Sequence, residues 1–141
     1  MELLSVPFTS QSWTASYEAV VTVQGLLRNE PRGLVLEFRR SEHSYGIKPS
    51  REDPIRTLSI PWEEIQSLAY RRRFLASGSL VLRTRSLRAL DGIPMAQGNE
   101  LVIPIARADR LVAREIAASV ELALAEQRIA AFDAPPVLPP G

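Results

Sequence analysis

Six arginines and no carboxylate lie between Arg71 and Arg88, in a chain whose formal net charge is only +1. A local excess of positive charge makes one surface attractive to anions, so the first chemistry to test is anion binding. The segment reads as a β-hairpin. A turn centred on Ala76 would pair Arg72 with Leu80, Tyr70 with Leu82, Ala69 with Arg83 and Ser67 with Arg85. Side chains alternate across a strand, so Leu68, Tyr70, Leu80 and Leu82 would then face the core. Arg71, Arg73, Arg83 and Arg85 would share the outer face, with Arg39 or Arg40 able to join them. At about 1 kcal/mol per basic residue near an acidic bilayer, four arginines supply roughly 4 kcal/mol, or about millimolar affinity. That alone does not hold a protein on a membrane. The plainer expectation is a sheet face kept soluble by arginines, some of them in contact with neighbours such as Glu37.

Catalytic chemistry has few candidate residues. His43 is the only histidine. It sits in the polar stretch Ser41–Gly46, where nothing promises the buried carboxylate that holds a catalytic imidazole, so a solvated histidine is expected. Glu63-Glu64 and Glu52-Asp53 are adjacent carboxylates. Neighbours on a strand point to opposite faces and on a turn splay by about 100°, whereas an acid–base pair must converge on one substrate. The seven glycines never approach a phosphate-loop spacing. With no cysteine there is no thiolate metal site, redox motif or disulfide. The expectation is therefore no enzymatic activity, no catalytic residues, no cofactor and no metal.

A length of 141 residues suits one domain, able to bury roughly 70% of the surface exposed by its unfolded chain. Sixteen of the seventeen basic residues are arginine. Codon bias in a GC-rich bacterial genome accounts for that most simply, so no single arginine can be read as chosen for bidentate recognition. The first residues have neither a basic start nor a long apolar run, which argues against a signal peptide. No stretch approaches 18 apolar residues. A soluble, cytoplasmic protein is expected.

Along the chain, residues 1–17 read as an irregular lead-in with Phe8, Trp13 and Tyr17 as isolated aromatics. Residues 18–27 alternate as a strand, and Asn29-Glu30-Pro31-Arg32-Gly33 is a turn by composition. In the next strand Leu34, Leu36 and Phe38 share one face. Residues 41–51 read as a loop and 54–60 as a strand. Pro61-Trp62-Glu63-Glu64 reads as a single turn, with proline at its start and carboxylates near its N-terminal end. Two strands follow, near 65–74 and 79–85, then an irregular stretch over 87–99. A last strand over 101–105 carries a proline that belongs at an edge or a strand end. From Asp109 to about Ala131 there is no Gly or Pro, and Ala, Leu, Glu and Arg dominate, so a long helix is expected. The domain thus spans 18–131, and 132–141, with four prolines in its last seven residues, reads as a disordered tail. Strands in series followed by one helix make an α+β fold. The expected core includes Leu34, Leu36, Phe38, Leu68, Tyr70, Leu80, Leu82, Leu101, Ile103, Ile116 and Val120.

The order of elements, the Ile60-Pro61-Trp62-Glu63-Glu64-Ile65 turn entering a strand, and the Ile105-Ala106-Arg107-Ala108-Asp109 entry to the last helix resemble bacterial pleckstrin-homology-like domains. The resemblance covers residues 17–130. It implies a small antiparallel barrel or bent sheet of six to seven strands with the helix over its open end, 87–99 standing in for one strand. It also implies a binding or assembly module. The basic motif that eukaryotic relatives carry across their first two strands is absent, since Glu37 occupies the second strand.

The helix has two apolar sides. Val112, Ala113, Ile116, Ala117, Val120, Ala123 and Leu124 form a wide face for the core. Opposite them lie Leu111, Ala118, Leu122, Ala125 and Ile129, at heptad-like spacings broken only by Glu115. Three readings stay open: the segment Leu3–Phe8 folds over this line, the residues are simply exposed, or two copies pair along it as a homodimer. Nucleic acid is an unlikely partner, because arginines on the helix are diluted by Glu115, Glu121 and Glu126 and no aromatic stacking platform accompanies the basic face. The expected function is binding or assembly through protein contacts, with anionic-lipid binding by the arginine face as the alternative.

Overall fold

Hydrophobic alternation translates into two antiparallel sheets and one long helix. The structure is a computed structural model describing residues 2–72 and 78–133. In the first sheet β1 (Ser5–Trp13), β2 (Ala19–Glu30) and β3 (Gly33–Ser44) form a meander. Two strands share the far edge of β3: β5 (Arg56–Pro61) pairs with residues 33–38, and the two-residue β4 (Arg51–Glu52) with Ser41 and Glu42. The second sheet has the order β6-β7-β9-β8, made of β6 (Ile65–Arg71), β7 (Ser79–Thr84), β9 (Glu100–Pro104) and the short β8 (Ala96–Gln97). A 3₁₀ turn, Trp62–Glu64, passes the chain from β5 to β6 with Pro61 at its head. Helix α1 (Arg110–Asp133) closes the described chain.

The core is one cluster shared by both sheets and the helix. Across the first sheet Val6, Leu27 and Leu36 stand in register and are buried. Phe8 and Phe38 flank Gly25 in the next row, where a Cβ would come 2.8 Å from the Phe8 ring. Glycine there leaves room for the backbone carbonyl of Glu37 and for the Phe8 ring. The second sheet contributes Leu68, Leu80, Leu82, Leu101 and Ile103, and α1 contributes Ala113, Ile116, Ala117, Val120, Ala123 and Leu124. Every expected core residue is buried except Tyr70, which is half-buried against the cluster.

Several elements differ from the sequence expectations. Residues 5–13, expected to be irregular, are β1. Only Val6 and Phe8 of this strand reach the core, so its Ser- and Thr-rich remainder gives no alternation to read. The expected loop over 41–51 is partly strand, because β3 runs on to Ser44 and pairs with β4 where the sheet meets solvent. The stretch 87–99 holds one short strand, β8. The helix continues through Phe132 to Asp133, beyond the expected boundary of the tail; the rest of the tail lies outside the described residues. Pro104 does sit at a strand end, as expected of it.

The start of the chain is held by one buried polar residue. Asn29 Oδ1 accepts from the Leu4 N–H at 2.6 Å. Its Nδ2 donates to the Glu2 carbonyl at 3.0 Å and to Ser119 Oγ at 2.9 Å, tying β1, β2 and α1 together. Asn29 is 1% exposed, so its truncation would strand polar partners away from water. Asn29→Ala should cost about 2–3 kcal/mol in urea denaturation. Leu82→Ala, a cavity in the shared core, should cost about 2–5 kcal/mol in the same measurement.

Candidate functional site

The hairpin that carries the arginines pairs in a different register from the expected one. Ser67 lies opposite Arg83, Tyr70 opposite Leu80 and Arg71 opposite Ser79, with an irregularity between Ile65 and Ser67. The shift is two residues. An even shift preserves which face each side chain takes, so Leu68, Leu80 and Leu82 point inward and are buried. The same shift moves the arginines apart along the outer face. Arg71 now stands opposite a residue four positions from Arg83, about 13 Å along the strand, and Arg85 lies roughly 7 Å farther. Arg71 is thus farther from both Arg83 and Arg85 than the roughly 8 Å over which exposed charges act at physiological ionic strength.

Arg83 is also neutralised. Its Nε donates to Glu100 Oε2 at 3.1 Å, Glu100 being its cross-strand neighbour on β9. Arg71 and Arg85 are exposed; Arg73 lies outside the described residues. Arg39 and Arg40 are on the first sheet, where Arg39 meets Glu52 at 2.8 Å and Arg40 meets Glu42 at 3.4 Å and Asp53 at 3.8 Å. Glu37 binds Arg28, not the hairpin, and Arg28 also meets Glu30 at 2.9 Å. The hydrogen bonds to Glu37 and then Glu30 raise the Arg28 pKa above its ordinary value. Of the expected cluster, Arg71, Arg83 and Arg85 are described: Arg83 is paired with Glu100, and Arg71 stands apart from the other two along the hairpin.

The outer apolar line of α1 is exposed. In α1 the residues Leu111, Leu122 and Ile129 are 66%, 63% and 61% exposed, and Ala118 and Ala125 are exposed between them. Phe132, missed in the sequence because the helix was expected to end before it, is 91% exposed and continues the line three residues beyond Ile129. Leu3–Phe8 does not cover this line. Val6 and Phe8 turn into the core, and the Asn29 bonds seat the segment beside Ser119 instead.

Two further features were not legible beforehand. β-Pairing places Trp13 opposite Val20 and Val20 opposite His43, gathering aromatics that look isolated in sequence. Trp13 and Tyr45 have ring centroids 5.8 Å apart, and His43 meets Tyr45 edge-on at 4.7 Å. Separately, a hollow of about 250 Å³ is lined by Ser59, Pro61, Glu64, Ser86, Arg88 and Ala89. Glu64 Oε2 is buried there without a hydrogen-bond partner among the described residues. A hollow lined by a single carboxylate does not present the converging pair that acid–base chemistry requires. Among the described residues no group of three His, Cys, Asp or Glu could hold a metal ion, and no helix is long and apolar enough to cross a membrane.

By themselves Arg71 and Arg85 give only weak anion binding. Two exposed, separated arginines contribute about 2 kcal/mol at an acidic bilayer, an affinity of roughly tens of millimolar. Liposomes rich in acidic lipid should sediment only a small fraction of the protein at physiological salt. Arg71→Glu with Arg85→Glu should remove that fraction while shifting stability by less than about 0.5 kcal/mol.

Comparison with protein-family models, with curated proteins and with solved structures finds no match to this chain.

Proposed function

We propose that this is a cytoplasmic, non-enzymatic binding and assembly module of pleckstrin-homology-like build, acting through protein contacts on the outer face of α1. The build is supported by element order: a meander of long strands, a one-turn crossover at Trp62–Glu64, a second antiparallel group, then a C-terminal helix. The observation that carries the function is the line Leu111, Leu122, Ile129 and Phe132, each more than 60% exposed on a helix whose opposite side is fully engaged in the core. Single exposed leucines are ordinary. A line at heptad spacing along 24 helical residues is the pattern of a helix that packs on another surface.

The energetics favour a modest, reversible contact. Burying Leu122, Ile129 and Phe132 contributes about 1.5–3 kcal/mol each, against the roughly 4–15 kcal/mol that association costs in lost freedom. Surface beyond these three side chains must join for tight binding. A photo-crosslinking residue at Ala118 in living cells should give discrete protein adducts. Leu122→Glu with Ile129→Glu should abolish them while leaving the thermal midpoint within a few degrees of wild type. Adducts to lipid alone, or none, would overturn this reading.

A further inference from the structure

Resting on the reading of α1 as a docking face, we infer that its occupant is a second copy of the same helix, packed antiparallel about a two-fold axis near residues 123 and 124. The seam occupies two heptad positions, with Leu122 and Ile129 in one and Ala118, Ala125 and Phe132 in the other. Across residues 118–129 small and large residues therefore alternate. In an antiparallel pair centred on this axis, Leu122 meets the partner's Ala125 and Ile129 meets the partner's Ala118. Each large side chain fills the space over an alanine, which permits close helix approach.

Charge selects the same arrangement. Glu121 and Arg128 both flank the seam on one side, are exposed, and form no ion pair among the described residues. Antiparallel pairing brings Glu121 beside the partner's Arg128, and symmetry repeats the pair. A parallel pair in register would instead set Glu115 on the partner's Glu115 inside the seam and Glu121 beside the partner's Glu126. Both are like-charge contacts, which oppose that orientation. Sliding the antiparallel pair by one heptad, so that Leu111 meets the partner's Ile129, places Glu121 on the partner's Glu121 and Arg114 on the partner's Arg128. The chosen register avoids all of these. It carries Glu115 to the end of the overlap, where its stem lies against the partner's Phe132 and its carboxylate reaches water; Leu111 falls past the overlap.

The face that seats the helix in its own domain is unaffected, because Ala113, Ile116, Ala117, Val120, Ala123 and Leu124 all lie on the opposite side. Each domain thus sits outside its own helix, with the two helices between them.

Sedimentation equilibrium on the full chain should give a concentration-dependent dimer. Glu121→Arg should weaken it by about tenfold at low ionic strength, and Glu121→Arg combined with Arg128→Glu should restore it. The chain has no cysteine, so Arg110→Cys, exposed and off the seam, carries a spin label at one defined place. Labels in the dimer should lie about 40 Å apart along the axis, against roughly 20 Å or less in a parallel pair. A dimer with the short distance, or one indifferent to Glu121→Arg, overturns the antiparallel arrangement while leaving the docking face standing. A monomer at high micromolar concentration, alongside cellular adducts at Ala118 that contain only other proteins, overturns self-association and again leaves that face intact. No adducts at all would remove the face itself.

Discussion

Burial of one side of α1 against both sheets is the constraint on which the rest of the molecule depends. Ala113, Ile116, Ala117, Val120, Ala123 and Leu124 meet a core contributed by β1, β2, β3, β6, β7 and β9. Both sheets send buried side chains into that core. The helix fills the space between them, about 36 Å long at 1.5 Å per residue. The alanines on its inner face let it approach closely, while Ile116, Val120 and Leu124 supply volume.

Committing that side to the core leaves the other in water. A helix that only covered sheets would carry polar residues there, yet α1 carries a heptad line from Leu111 to Phe132. The N-terminal segment that could have covered it is used elsewhere. Val6 and Phe8 are drawn into the first sheet, and Asn29 pins the preceding backbone to Ser119. Asn29 together with Val6 and Phe8 thus holds that segment away from the outer face of α1. Elsewhere on the described surface part of the basic charge is ion-paired: Arg28, Arg39, Arg40, Arg51 and Arg83 each have a carboxylate partner. Such exposed pairs contribute little stability, but they reduce the field that a compact basic patch would have projected.

What the sequence by itself determined is local and periodic. The long helix, both of its apolar sides, the proline-headed turn at Trp62 and the inward set Leu34, Leu36, Phe38, Leu80 and Leu82 follow from side-chain spacing, because each element must bury one face. The hairpin faces follow from the same spacing although its register differs by two residues from the one the turn composition suggests, because only an odd slip exchanges the faces. Tertiary structure alone decided everything that depends on pairing distant residues. Whether Arg83 is free depends on Glu100, brought beside it by β9 across a stretch with little regular structure. Whether Trp13 and Tyr45 meet depends on the meander of the first sheet, and whether β1 is a strand depends on an edge of β2 that needs a partner. Hydrogen-bond ladders accept any residue with a free N–H and C=O, so a polar strand such as β1 leaves little trace in composition. The outer line of α1 was legible as a pattern, but its exposure was not, because only the folded chain shows where its first residues go.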